Sequence, residues 1–144
     1  MSDMRIMDFI ERFEKNCPDS TALENAVGEN ITYSQLSKTV FELSQYLSSH
    51  GIKSNQRIAG IIPDGIEISL VFLAVSNIAS FIPLNHHYSE NQYRYYFSIL
   101  GIEALIISEN ADSSVQRIAD EMNIPIFLLS RKNDNSETIF ELTG

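Results

Sequence analysis

Between residues 57 and 129, short apolar runs alternate with longer stretches of helical periodicity, and few architectures accommodate that order. The runs are Arg57-Ile58-Ala59-Gly60-Ile61-Ile62, Ser80 to Leu84, Ala104 to Ile107 and Ile124 to Leu129. Each is too short for a helix, and the first is cut off by Pro63-Asp64-Gly65, so each reads as a strand. Near-continuous apolar strands separated by helices specify a parallel sheet buried on both faces, with right-handed crossovers.

The intervening segments carry their own signals. Thr32 and Gln35 have capping-box spacing ahead of a stripe of Leu36, Val40, Leu43 and Leu47, and Gly51 with Ile52 closes that helix as a Schellman motif would. Ser89 and Gln92 repeat the box ahead of Tyr93, Tyr96, Phe97 and Leu100, with Gly101 at the end. From Ile66 to Ala79 apolar residues fall on nearly every side of the helix wheel, the pattern of a helix covered on both sides. A further helix spans residues 111–122, with Val115, Ile118, Ala119 and Met122 inward and Asp112, Asp120 and Glu121 on a solvated face.

Ahead of this region, Ile6, Phe9, Ile10 and Phe13 predict a short amphipathic helix that ends near Cys17-Pro18, with Glu11, Arg12 and Glu14 facing away. A hairpin turning at Gly28-Glu29-Asn30 follows. Behind it, residues 130–136 read as a polar, mobile loop and residues 138–142 as a short terminal strand. The expected division is a helix and hairpin over residues 1–33, an α/β domain over 34–129, and a polar loop and truncated tail over 130–144.

Charge and cysteine content narrow the function classes. A formal charge of −9, with Lys and Arg scattered, opposes phosphate backbones and anionic membranes, so nucleic-acid binding is not expected. Cys17 is the single cysteine, which makes a reducing compartment the natural setting. The N-terminal residues have no signal-peptide apolar run, and Glu67, Ser69, Ser76, Asn77 and Pro83 interrupt the longest apolar stretch, so the expectation is a cytoplasmic protein without a membrane span.

The register of particular residues goes further. Thr32-Tyr33 precedes a helix with Leu47 and Gly51 near its end; Arg57 opens a strand, Pro63 follows it, and then come Phe72-Leu73-Ala74 and Pro83-Leu84-Asn85. Ser89-Glu90-Asn91-Gln92-Tyr93 and Ala104-Leu105-Ile106-Ile107 complete the series. Over roughly residues 5–129 this order resembles the N-terminal region of the adenylate-forming superfamily, which includes acyl-CoA synthetases and peptide-synthetase adenylation domains. The resemblance implies the N-terminal subdomain of that ligase fold, a three-layer fragment with a parallel sheet, preceded by a small helix and hairpin. Asn77-Ile78-Ala79 stands where the family usually has Lys-Ala-Gly, and His86 where it commonly has proline.

Family enzymes form an acyl-adenylate from a carboxylate and ATP with Mg²⁺, then pass the acyl group to coenzyme A or another thiol. Stabilising the charge at the α-phosphorus takes a Ser/Thr/Gly-rich loop ending in Pro-Lys, acidic residues for ribose and metal, and a lysine from a mobile C-terminal domain. The residues at hand contain none of these. No glycine among the six is followed by the required basic residue, there is no G-x-G-x-x-G, and Ile66 stands where a P-loop lysine would follow Gly60 and Gly65. Leu142-Thr143-Gly144 reads either as the first residues of the family's phosphate loop or as a chance triplet.

The resulting expectation is a fragment of an AMP-forming acyl-CoA synthetase that is inactive alone and binds no cofactor itself. It has no catalytic or metal residues, although its parent would act in fatty acid metabolism. His86 and His87, after the strand ending near Pro83, are the candidates for ligand contact, because ligands favour the carboxyl ends of parallel strands. As solvated loop histidines they have an equally simple explanation. The aromatic residues Tyr93, Tyr95, Tyr96 and Phe97 read as helix-to-sheet packing. A second reading is a free-standing α/β interaction module that pairs with itself, or with the remainder of a ligase, through the helix from Ile66 to Ala79. A third is a flavodoxin-like nucleotide binder, which the missing phosphate loop disfavours.

Overall fold

The computed structural model describes residues 6–109, 111–132 and 138–144. In chain order the elements are α1 (Ile6–Asn16), β1 (Thr21–Glu24), β2 (Asn30–Thr32), α2 (Tyr33–Ser49), β3 (Arg57–Ile61), α3 (Ile66–Ser76), β4 (Ser80–Pro83), α4 (Glu90–Ile99), β5 (Ala104–Ser108), α5 (Ser113–Glu121), β6 (Ile126–Arg131) and β7 (Phe140–Thr143). β1 and β2 form an antiparallel hairpin, and the other five strands form one sheet in the order β4-β3-β5-β6-β7. β4, β3, β5 and β6 are mutually parallel.

Alternate residues of each strand supply two cores. Ile58, Ile62, Ala104, Ile106, Phe127 and Leu129 face α2 and α3, while Ala59, Ile61, Leu105 and Ile107 face α4 and α5. The result is the expected helix-sheet-helix layering, with α1 docked on α2. Both capping boxes form: Thr32 Oγ1 accepts from Gln35 N at 3.1 Å, and Ser89 Oγ accepts from Gln92 N at 3.2 Å. The Schellman closure of α2 is also present, with Gly51 at φ +93° and Ile52 N donating to Leu47 O at 3.1 Å. Gly101 closes α4 in the same way, through Ile102 N and Phe97 O.

Several expectations need correction. The buried face of α1 is Met7 and Ile10, whereas Ile6, Phe9 and Phe13 are each more than two-fifths exposed. Glu14, expected to face away, accepts a hydrogen bond from the buried Ser37 hydroxyl at 3.1 Å, a contact between α1 and α2. Asp112, Asp120 and Glu121 are exposed as expected, but Asp112 stands just outside the helix as the N-cap of α5, accepting from Ser114 N at 3.0 Å. Ile124 belongs to the close of α5 rather than to β6: Asn123 adopts φ +59° and Ile124 N donates to Ala119 O at 2.8 Å.

Ser130 and Arg131 extend β6 instead of opening a loop, and residues 133–137 of that expected loop lie outside the described residues. The terminal strand covers Phe140–Thr143 and runs antiparallel to β6, so the sheet is mixed at this edge. α3 stops at Ser76, and its cover is one-sided: Leu70, Val71, Ala74 and Val75 are buried, while Phe72 is 47% exposed.

Candidate functional site

The strand order fixes where a crevice can open. From β3 the chain passes through α3 to β4 on one side, and from β5 it passes through α5 to β6 on the other. Adjacent strands whose connections depart in opposite directions leave a gap beyond their carboxyl ends, the usual ligand position in open α/β sheets. A cleft of about 270 Å³ lies at that gap. Ile62, Pro63 and Asp64 line it after β3, Ser108 at the end of β5 and Glu109 just after it, and Ser130 and Arg131 at the end of β6, with Glu67 from the first turn of α3.

Its charge is set by three carboxylates, Asp64, Glu67 and Glu109, against one guanidinium. Arg131 Nη2 already lies 3.0 Å from Glu29 Oε1 in the hairpin and 3.9 Å from Glu67 Oε1, and the guanidinium stacks 4.9 Å above the Phe140 ring. The lining offers a bare triphosphate more carboxylate than cation, and its one guanidinium already has carboxylate partners. Sequence patterning did not single out these side chains. Their signal was faint: polar residues immediately following two apolar strands, at Asp64 and at Ser108-Glu109.

His86 and His87 do lie at the carboxyl end of a parallel strand, but that strand is the edge strand β4, and neither histidine lines the cleft. Both are exposed, with ring centroids 3.9 Å apart. Their loop is held from two directions: His87 N donates to Asn85 Oδ1 at 2.8 Å, and the Tyr93 hydroxyl donates to Asn85 O at 2.8 Å. Burial raises the Tyr93 phenol above its ordinary value; a hydrogen bond to the Tyr88 backbone works against that rise, and the charges of Asp112 and Tyr88 add to it. Of the four aromatic residues read as packing, Tyr93 and Phe97 are buried, Tyr96 stacks on Tyr88 at 4.9 Å, and Tyr95 is 58% exposed. Among the described residues, no group of three or more His, Cys, Asp or Glu could hold a metal ion, and no helix is long and apolar enough to cross a membrane.

A second surface feature is apolar. Leu23 of the hairpin, Ile68, Phe72 and Leu73 of α3, and Phe81 and Pro83 of β4 line an open groove of about 390 Å³ in which Ser69 is the one polar residue. Gly60 helps to shape it: a Cβ at that position would stand 2.6 Å from Cε1 of Phe81, so the missing side chain lets the Phe81 ring lie across β3. Phe72 meets that ring edge-on at 6.0 Å.

Comparison with known proteins agrees with this architecture. The oxalate–CoA ligase of Arabidopsis thaliana is 27% identical over 126 residues, covering 86% of this chain and 24% of that enzyme. A medium/long-chain-fatty-acid–CoA and 3-oxocholest-4-en-26-oate–CoA ligase of Mycolicibacterium smegmatis is 25% identical over 119 residues, covering 82% of this chain and 21% of its own length. Among solved structures, a long-chain-fatty-acid-CoA ligase of Archaeoglobus fulgidus superposes with a TM-score of 0.77 at 12% identity, over 95% of this chain and 29% of that one, a likeness of fold. The chain thus spans about a quarter of the length of the curated relatives it matches. The profile of the AMP-binding enzyme family matches residues 10–141, and the chain belongs to that family.

Proposed function

We propose that this chain is the N-terminal scaffold of an AMP-forming acid–thiol ligase and does not activate a carboxylate by itself. The family match supports the reaction class, with ATP, Mg²⁺ and coenzyme A as reactants of the ligase-length protein. The observation that carries the second half is the charge of the cleft, where Asp64, Glu67 and Glu109 face an Arg131 already engaged by Glu29. Substrate identity is not inherited from the relatives, since their names alone range from oxalate to a steroid acid. A role in fatty acid metabolism and a cytoplasmic setting belong to the same proposal. Of the expected division, a helix and hairpin over residues 1–33 ahead of the α/β domain belongs to it too, whereas β6 and β7 carry that domain past 129 to Thr143 instead of leaving a tail over 130–144. Within it, His86 and His87 are the contact candidates.

Pyrophosphate exchange with ATP, Mg²⁺ and a panel of oxalate, medium-chain and long-chain carboxylates should stay at background. Exchange well above background would overturn the reading. In parallel, titration with coenzyme A followed by NMR tests the histidines: ring signals of His86 and His87 that do not move would remove them as contacts.

One observation favours a second reading, a non-catalytic interaction module. The groove between α3 and β4 has no charged lining on a chain of net charge −9, so apolar contact is not opposed there by like charge. The partner would be a second copy or the remainder of a ligase-length chain. Phe72→Glu places a charge on this surface at a 47% exposed position and removes the edge-on contact with Phe81, so stability should fall by about 1–2 kcal/mol without opening the core. Sedimentation velocity should show the unsubstituted chain associating and the variant monomeric. A chain that is monomeric in both forms at high concentration counts against the module.

A further inference from the structure

We draw no further inference here: the strongest candidate, the apolar groove between α3 and the edge strand β4, belongs to the association surface already proposed, and nothing in the structure shows what covers it.

Discussion

Tyr93 is 3% exposed, and its hydroxyl serves the loop rather than the helix that carries it, by donating to Asn85 O at 2.8 Å. Tyr93→Phe leaves that carbonyl short of one donor and should cost about 1 kcal/mol at neutral pH in urea denaturation. The pH dependence has a definite sign. The folded-state pKa is raised above the ordinary 10.0, so the native state holds the phenolic proton more tightly than the unfolded chain does. That contribution is complete below pH 10 and is lost as pH rises through the raised value. The difference between the parent and Tyr93→Phe should therefore shrink in alkaline solution, and a constant difference from neutral pH upward would refute the linkage.

Arg57 shows what a sequence reveals of a residue and what it withholds. Its place at the head of β3 was readable, but its task was not. Its Nη1 donates to Leu100 O at 2.9 Å at the end of α4, and its carbonyl accepts from Glu103 N at 2.9 Å. Both partners lie more than forty residues away in sequence, beyond the reach of local patterning.

Elements were legible where their signals are local, and illegible where a distant neighbour decides. The capping boxes at Thr32-Gln35 and Ser89-Gln92, and the glycine closures at Gly51 and Gly101, each depend on a few consecutive residues, and all of them form. Helix α1 carries apolar residues on two adjoining faces, and the choice of Met7 and Ile10 over Phe9 and Phe13 goes with the Ser37–Glu14 bond, a contact made across the fold. The cleft residues were missed for the same reason. Asp64, Glu109 and Arg131 come from three separate strand ends, and strand order alone brings them together.

The antiparallel strand β7 is held partly by α2. Thr39 is fully buried, and its hydroxyl accepts from Ile139 N at 3.2 Å, while Lys132 Nζ reaches Thr138 Oγ1 at 2.7 Å and Glu42 at 3.2 Å. Thr39→Val keeps the shape but removes the acceptor, leaving a backbone donor in need of a partner. The expected cost is about 1–3 kcal/mol, with faster amide exchange at Ile139. An unchanged exchange rate there would show that the Thr39 hydroxyl does not help to hold β7.

For the molecule as a whole, protection should follow position in the sheet. Strands β3 and β5 lie side by side away from both edges, their interior residues are buried, and each has a core on either face. Opening them requires separating both helix layers, with each of Ile58, Leu105, Ile106 and Ile107 losing about 1.5–3 kcal/mol of burial. The edges are less well covered. β4 is only partly buried and ends in Pro83, which has no amide donor, and β7 alternates buried Phe140 and Leu142 with exposed Glu141 and Thr143. Native-state hydrogen exchange should therefore find the slowest amides in β3 and β5, at the free energy of global unfolding, and measurably faster exchange in β4, β7 and the hairpin. The exposed ion pairs of Arg94, Arg117 and Arg131 should alter that order little, because such pairs contribute at most about 1 kcal/mol each. If β4 proves as slow as β3 in the associated chain but fast in Phe72→Glu, cover supplied at the α3 groove accounts for the added protection. If β4 equals β3 in both, the edge opens with the centre and the graded picture of this sheet is wrong.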